Sequence, residues 1–153
     1  MSRRIRNAAS RGCVLQDMAA LDLPPRVSDR LAAEDIIWLS TVNARHGPVP
    51  TPVWFLWFDD SFLLFSQPGT AKLRHIDAEP AVALNLNADD HGGDVAVFTG
   101  QARVDDAGPT DEEWAAFTTK YAQGFVSIDM TPEDFARSYS VLVRVTPERL
   151  RAW

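Results

Sequence analysis

Groups that cross-link a chain or ligate metals are scarce in this sequence: 153 residues contain one cysteine, Cys13, and three histidines, His46, His75 and His91. A lone cysteine excludes an internal disulfide framework and a cysteine-based metal site, and it fits a reducing compartment, so a cytoplasmic location is expected. No apolar run approaches the ~18–20 residues of a membrane-spanning helix. The apolar residues before Leu23 never form the ~7–15-residue core of a secretion signal. Neither a membrane partner nor secretion is expected. Positive charge is also short: 15 Lys and Arg stand against 21 Asp and Glu, a net charge of −6. That balance excludes a basic nucleic-acid footprint. Gly-x-Ser-x-Gly, Walker A, Gly-x-Gly-x-x-Gly and His-Glu-x-x-His are all missing. Each histidine falls in or near a turn or a helix end, so no hydrolytic triad can be assembled.

What the chain does have is aromatic mass, with five Trp and eight Phe. Aromatics supply large contact area for a core, an obligate interface or a flat ring ligand. The length suits one domain with a single core. Residues 1–23 are polar, carry Arg3, Arg4, Arg6 and Arg11 and show no periodicity, so they read as a disordered tail, leaving 24–153 as the folded domain.

The chain is organised around residues 48–75. Asp59-Asp60-Ser61 is a turn signal between aliphatic and aromatic runs, so Val49–Phe58 and Phe62–Ser66 read as a hairpin. Pro48, Pro50 and Pro52 occupy every second position of the first strand. Proline has no N–H, so the edge they share cannot form a full ladder. The carbonyls of that edge, and the N–H groups of Val49, Thr51 and Val53 on the other, are candidates to meet a ligand; the plainer reading is an edge strand protected against aggregation. Ser66-Gln-Pro-Gly69 then turns the chain, and Thr70 is placed to cap a short helix beginning at Ala71. Lys72 and Arg74 in its first turn oppose the helix dipole. An anion held by the free N–H groups, the Thr70 hydroxyl and the two cations removes the conflict, which points to a phosphate site.

Around this stretch, Ser28 reads as the cap of a helix over 29–35, and residues 36–43 as a β-branched strand. Residues 81–87 and 94–105 read as further strands, with Gly100 marking a bulge or a close backbone approach. Asp89, Asp90, His91 and Asp94 lack the spacing of a calcium loop and read as a hairpin turn, so no metal is expected. Thr110 and Glu113 form a capping-box pattern before a helix over 111–124, whose Trp114, Phe117, Tyr121 and Phe125 make a core-facing stripe. A helix from Thr131 to about Tyr139 and a strand over 140–146 follow. Six strands joined mostly as antiparallel hairpins, with peripheral helices, suit a β-barrel better than βαβ winding.

Thr-Pro-Val-Trp-Phe at 51–55, Ser66, Thr-x-Lys-x-Arg at 70–74 and Pro-Ala-Val-Ala-Leu at 80–84 resemble the split β-barrel flavin and deazaflavin oxidoreductases related to pyridoxamine 5′-phosphate oxidase. The resemblance runs from about Leu23 to Trp153 and is nearest to the coenzyme F420-dependent branch. His75 departs from it, since relatives often carry Asn there. It implies a six-stranded antiparallel split barrel that forms a homodimer, with each cofactor between two subunits. Thr51, Pro52, Val53 and Trp54 would edge the ring, Ser66, Thr70, Lys72 and Arg74 would hold its phosphate, and Trp153 of a second subunit would cover the far end. The implied activity is hydride transfer between a deazaflavin and a small organic substrate. The ring carries the hard step, so the missing acid–base machinery is no obstacle. FMN in an oxidase or reductase is the alternative cofactor; F420 differs from it by a polyglutamate tail, for which Arg26, Arg30 and Arg45 are candidate partners. A non-catalytic protein that stores a flavin or haem is the alternative from another class.

Overall fold

The computed structural model describes residues 20–153. The disordered tail expected for residues 1–23 therefore lies mostly outside the described residues; of its end, Leu21 and Leu23 are half-buried against the core. Among the described residues no helix is long and apolar enough to cross a membrane.

The elements in chain order are α1 (Pro25–Ala33), β1 (Ile36–Val42), β2 (Pro48–Trp54), β3 (Leu56–Phe58), β4 (Ser61–Ser66), α2 (Ala71–Ala78), β5 (Ala81–Asn85), β6 (Ala96–Val104), α3 (Asp111–Lys120), α4 (Ala122–Ser127), α5 (Pro132–Ser138) and β7 (Val141–Ala152). All strand pairs are antiparallel. They form one sheet in the order β2-β1-β5-β6-β7-β4-β3. Its two outermost strands, β2 and β3, are separated in the chain by Phe55 alone. A sheet whose ends are consecutive in sequence must roll until they meet, and the result is a split barrel.

The sheet has seven strands and not six, because the expected strand over 49–58 breaks at Phe55. The break is stitched by a distant side chain. The Phe55 N–H donates to the Tyr121 Oη at 2.8 Å, and that hydroxyl lies 2.9 Å from the Phe55 carbonyl and 2.7 Å from the Asp35 carbonyl. Both backbone groups freed by the break are thereby satisfied inside the core, as burial requires. The turn that follows has positive φ at Asp59 (47°) and Asp60 (56°), the primed geometry of tight hairpins.

Helix α1 starts at Pro25, with Pro24 as its N-cap, so the capping role expected of Ser28 is not used. Proline at the first helical position loses no bond, which is why the Pro-Pro pair starts this helix. The capping box at Thr110 and Glu113 forms as expected. The helix after it divides at Tyr121 into α3 and α4. Strand β7 runs on to Ala152, well past the expected end at 146. It passes Pro147, which lies opposite Gly100 at a register shift in β6. A Cβ on Gly100 would sit 2.2 Å from the Thr146 carbonyl oxygen, so the bulge demands glycine.

Two apolar layers share β4 and β7. Phe62, Leu64, Val143 and Val145 face the barrel interior with Phe55 and Phe98. Leu63 and Leu142 face the other way, under Phe117, Tyr121, Phe125 and Phe135 of the helices. Strands covered on both faces lose the apolar–polar alternation, as the sequence of β4 shows.

Candidate functional site

Strand β2 is an edge of the sheet, and its proline side is free. Against β1, Pro48, Pro50 and Pro52 lie opposite Val42, Ser40 and Trp38, alternating with Val49, Thr51 and Val53. Proline cannot donate, so the proline pairs are the non-bonded ones, with backbone groups pointing away from β1. The free edge therefore offers the carbonyls of Pro48, Pro50 and Pro52. At its end the same alternation leaves Trp54 as the one residue of the edge with an outward N–H. The N–H groups of Val49, Thr51 and Val53 point into the ladder with β1, so the expectation that they meet a ligand is corrected. Thr51 can contribute only through its side chain.

Helix α2 packs on β1 and β6, and its Lys72 shares a cavity with the end of this edge. Thr70 is its N-cap residue in extended conformation, yet makes no side-chain capping bond. Its hydroxyl lies instead 3.0 Å from the Ser66 Oγ, and Ser66, 1 % exposed, also donates to the Gln67 carbonyl. The amides of the first turn are thus left without a side-chain cap. Lys72 is half-buried and, among the described residues, has no carboxylate partner. Burial alone pushes its ammonium below the usual lysine pKa. A desolvated, unpaired cation is relieved by an anion.

Lys72 lines a cavity of about 330 Å³ together with Pro52, Val53, Trp54, Phe65, Ile128, Phe135 and Tyr139. Its aromatic wall is a column of near-parallel rings. Trp54 stacks on Tyr121 at 4.4 Å and on Phe135 at 5.6 Å, and Phe135 stacks on Tyr139 at 4.4 Å. Phe65, Ile128, Phe135 and Tyr139 were not expected at the site. The spacing of Phe135 and Tyr139, one turn apart on α5, marks a helix face but not what that face meets.

Arg74 does not join Lys72. Its guanidinium donates to the Gly69 carbonyl at 2.8 Å. It lines a different depression, with Asn43, Ala44, Arg45, His75 and Ala78. Residues two apart on a helix point about 200° from each other, which accounts for the separation. Arg26 and Arg30 are engaged by Asp94, and Arg30 also by Glu34, so they strap α1 to the β5–β6 loop. In that loop the Asp89 carboxylate accepts the N–H groups of His91 and Gly93, and no metal-like cluster occurs among the described residues.

Trp153 is 60 % exposed at the end of β7. Ser66 pairs with Val141 at the other end of that strand. At ~3.3 Å per residue the two lie roughly 35–40 Å apart along it. Trp153 is not in the lining of the Lys72 cavity of its own chain.

A larger cavity, about 630 Å³, lies between α1, β3 and α3 and includes Lys120. That amine is committed. It donates to the Leu31 carbonyl at 3.0 Å and sits 3.7 Å above the Phe55 ring. Burial pulls its pKa down to about 8, with Asp35 and Glu34 acting in the opposite direction.

A rolled antiparallel sheet whose outermost strands are consecutive in the chain, with helices packed outside it, defines a split-barrel protein. The sequence model of the pyridoxamine 5′-phosphate oxidase family matches residues 23–153, and the chain belongs to that family. No curated protein matches the sequence. Among solved structures, an F420 reductase is similar at 21 % identity and TM-score 0.63, over 84 % of this chain and 98 % of that one. HutZ, the heme storage protein from Vibrio cholerae, is similar at 13 % identity and TM-score 0.63, over 86 % and 95 %. An FAD-binding protein from Mesorhizobium loti is similar at 17 % identity and TM-score 0.58, over 80 % and 88 %. The shared fold thus carries proteins named for a deazaflavin, a flavin and haem.

Proposed function

We propose that this protein is an oxidoreductase built around a phosphate-bearing tricyclic cofactor, coenzyme F420 in the first place and FMN as the alternative, acting on a small organic substrate in the cytoplasm. The observation that carries the reading is Lys72: a half-buried ammonium without a counter-ion, in a cavity walled by Trp54 and by the free edge of β2. The residues present fit such a ligand. Lys72 and the uncapped first turn of α2 take the phosphate, with the Ser66–Thr70 hydroxyl pair beside them. The edge carbonyls and the outward Trp54 N–H suit the mixed donors and acceptors of a heterocyclic ring edge.

When bound, the cofactor supplies the hydride chemistry. The chain's share is to position the ring, hold the phosphate and keep water from the cavity, whose lining is mostly aromatic and aliphatic. Tyr139 is the one tyrosine in that lining, and none of the three histidines belongs to it. Tyr139 is therefore the chain's group for holding a proton near the ring.

The similarity to a heme storage protein favours a second reading, binding without turnover. Within that reading a flavin suits the site better than haem, because no histidine or cysteine among the described residues lines the cavity to ligate iron.

Titration of the purified protein with F420 and with FMN, followed by oxidation of the reduced cofactor with candidate acceptors, separates these readings. Lys72→Ala should raise the dissociation constant about tenfold or more, the scale of one charge-assisted hydrogen bond. Unchanged affinity in that variant would remove Lys72 from the site. Tight binding with no turnover would favour storage.

A further inference from the structure

We propose that the depression between the β1–β2 turn and α2 is a second oxyanion site, which takes a phosphate or a pair of carboxylates apart from the anion at Lys72. This site stands whichever ring ligand occupies the Lys72 cavity.

The depression holds about 490 Å³ and is lined by Asn43, Ala44, Arg45, Arg74, His75 and Ala78. No carboxylate is in that lining. Neither arginine forms a salt bridge among the described residues. In a chain with 21 acidic and 15 basic residues, two unpaired arginines and a histidine meeting without an acid is not what composition alone would produce.

The hydrogen bonds already made leave donors of Asn43, Arg45 and Arg74 free. The Asn43 Oδ1 accepts the N–H groups of Arg45 at 2.9 Å and Gly47 at 3.0 Å. Those two bonds fix the amide's orientation and leave its NH₂ to the depression. The His75 Nδ1 lies 2.8 Å from the hydroxyl of Thr41, which is 2 % exposed. When that hydroxyl donates to Nδ1, the ring proton resides on Nε2, on the other side of the imidazole. One N–H of Arg74 is spent on the Gly69 carbonyl, which anchors the guanidinium and leaves its other donors free. Arg45 is held by a tight turn in which His46 takes a φ of 61° and donates its N–H to the Asn43 carbonyl. Two guanidinium forks with free donors beside the Asn43 amide match an oxyanion and disfavour a cation.

Lys72 and Arg74 project from opposite sides of α2, so one compact anion does not serve both. Occupation of both sites requires a ligand with two separated acidic groups, or two ligands.

Two-dimensional ¹H–¹⁵N NMR and calorimetric titration of the full chain with sodium pyrophosphate test this. The expected result is perturbation at Arg45, Gly47 and His75, with Arg45→Ala weakening that response about tenfold or more and Lys72→Ala leaving it in place. Arg45 is exposed and its side chain has no partner among the described residues, so its removal should spare the fold; Ala44→Glu, which adds a carboxylate to the depression, should abolish the response. Pyrophosphate bound with unchanged affinity at those residues in both variants, or perturbation confined to the Lys72 cavity, would overturn the proposal. If Arg45→Ala also weakens the cofactor, the second anion belongs to the same molecule. If cofactor affinity is unaltered while pyrophosphate is lost, a separate anion binds there.

Discussion

Tyr121 does more for this fold than its place in an apolar stripe suggests. Its ring lies in the aromatic column against Trp54, and its hydroxyl meets both backbone groups of Phe55 and the carbonyl of Asp35. Burial drives its pKa well above the usual phenol value, so it stays a neutral donor and acceptor at any working pH. Tyr121→Phe keeps the packing and orphans the buried Phe55 N–H, which should cost about 1–3 kcal/mol. Urea unfolding of the two proteins would measure it, with a shifted midpoint and an unaltered slope expected. The same residue shows where sequence reading stops. The stripe of Trp114, Phe117, Tyr121 and Phe125 was legible as core, but Trp54-Phe55-Leu56 carries no local mark of a break. The break is made by a hydroxyl 66 residues away. By contrast, the opposite directions of Lys72 and Arg74 were available from helical spacing alone.

The elements are joined at one polar point that the alternation of β7 conceals. Arg144 reaches from β7 to the Asp105 carboxylate at 2.9 Å and to the Glu113 carboxylate at 2.8 Å. Glu113 also accepts the Thr110 N–H, so the capping box of α3 and its anchor to the sheet share one side chain. The hydrogen bond from Arg144 is the first cause that holds both carboxyls below their usual pKa, against the opposing effect of burial. A depressed folded pKa stabilises at pH above the unfolded value, about 4, and that contribution is lost as pH falls through the folded values. Stability should therefore decline below about pH 4–5. Glu113→Gln should be less stable than the wild type at pH 7 and show a shallower acid decline, as thermal unfolding across pH 3–7 would record. An equal acid slope in both would detach Glu113 from that decline. At this scale the capping box and the bulge at Gly100 were legible because each has a residue with one job. The length of β7 was not, since Pro147 reads as a stop and is tolerated only opposite that bulge.

At the scale of the molecule, the site is proposed to be shared between two chains. Trp153 lies at the far end of β7, while Val126 and Ile128 are exposed at the α4–α5 connection, Ile128 on the cavity itself. The proposed arrangement is a homodimer in which Trp153 of a second copy meets the Lys72 cavity of the first. Sedimentation should give about twice the chain mass, and Trp153→Ala should weaken cofactor binding while leaving the unfolding curve of the monomer unit intact. A monomer that binds the cofactor at full strength would refute this arrangement. Three prolines deny a neighbouring strand its donors, so in that arrangement the free edge of β2 is not expected to pair with a strand of the second copy.

The one-residue span at Phe55 also ties two events that most binding proteins keep apart. Because the two outermost strands are consecutive in the chain, any change of angle between β2 and β3 must be taken up at Phe55. That pivot is latched by a single phenol. A ligand bearing on the β2 edge would therefore bear, through Phe55, on a hydrogen bond of the core.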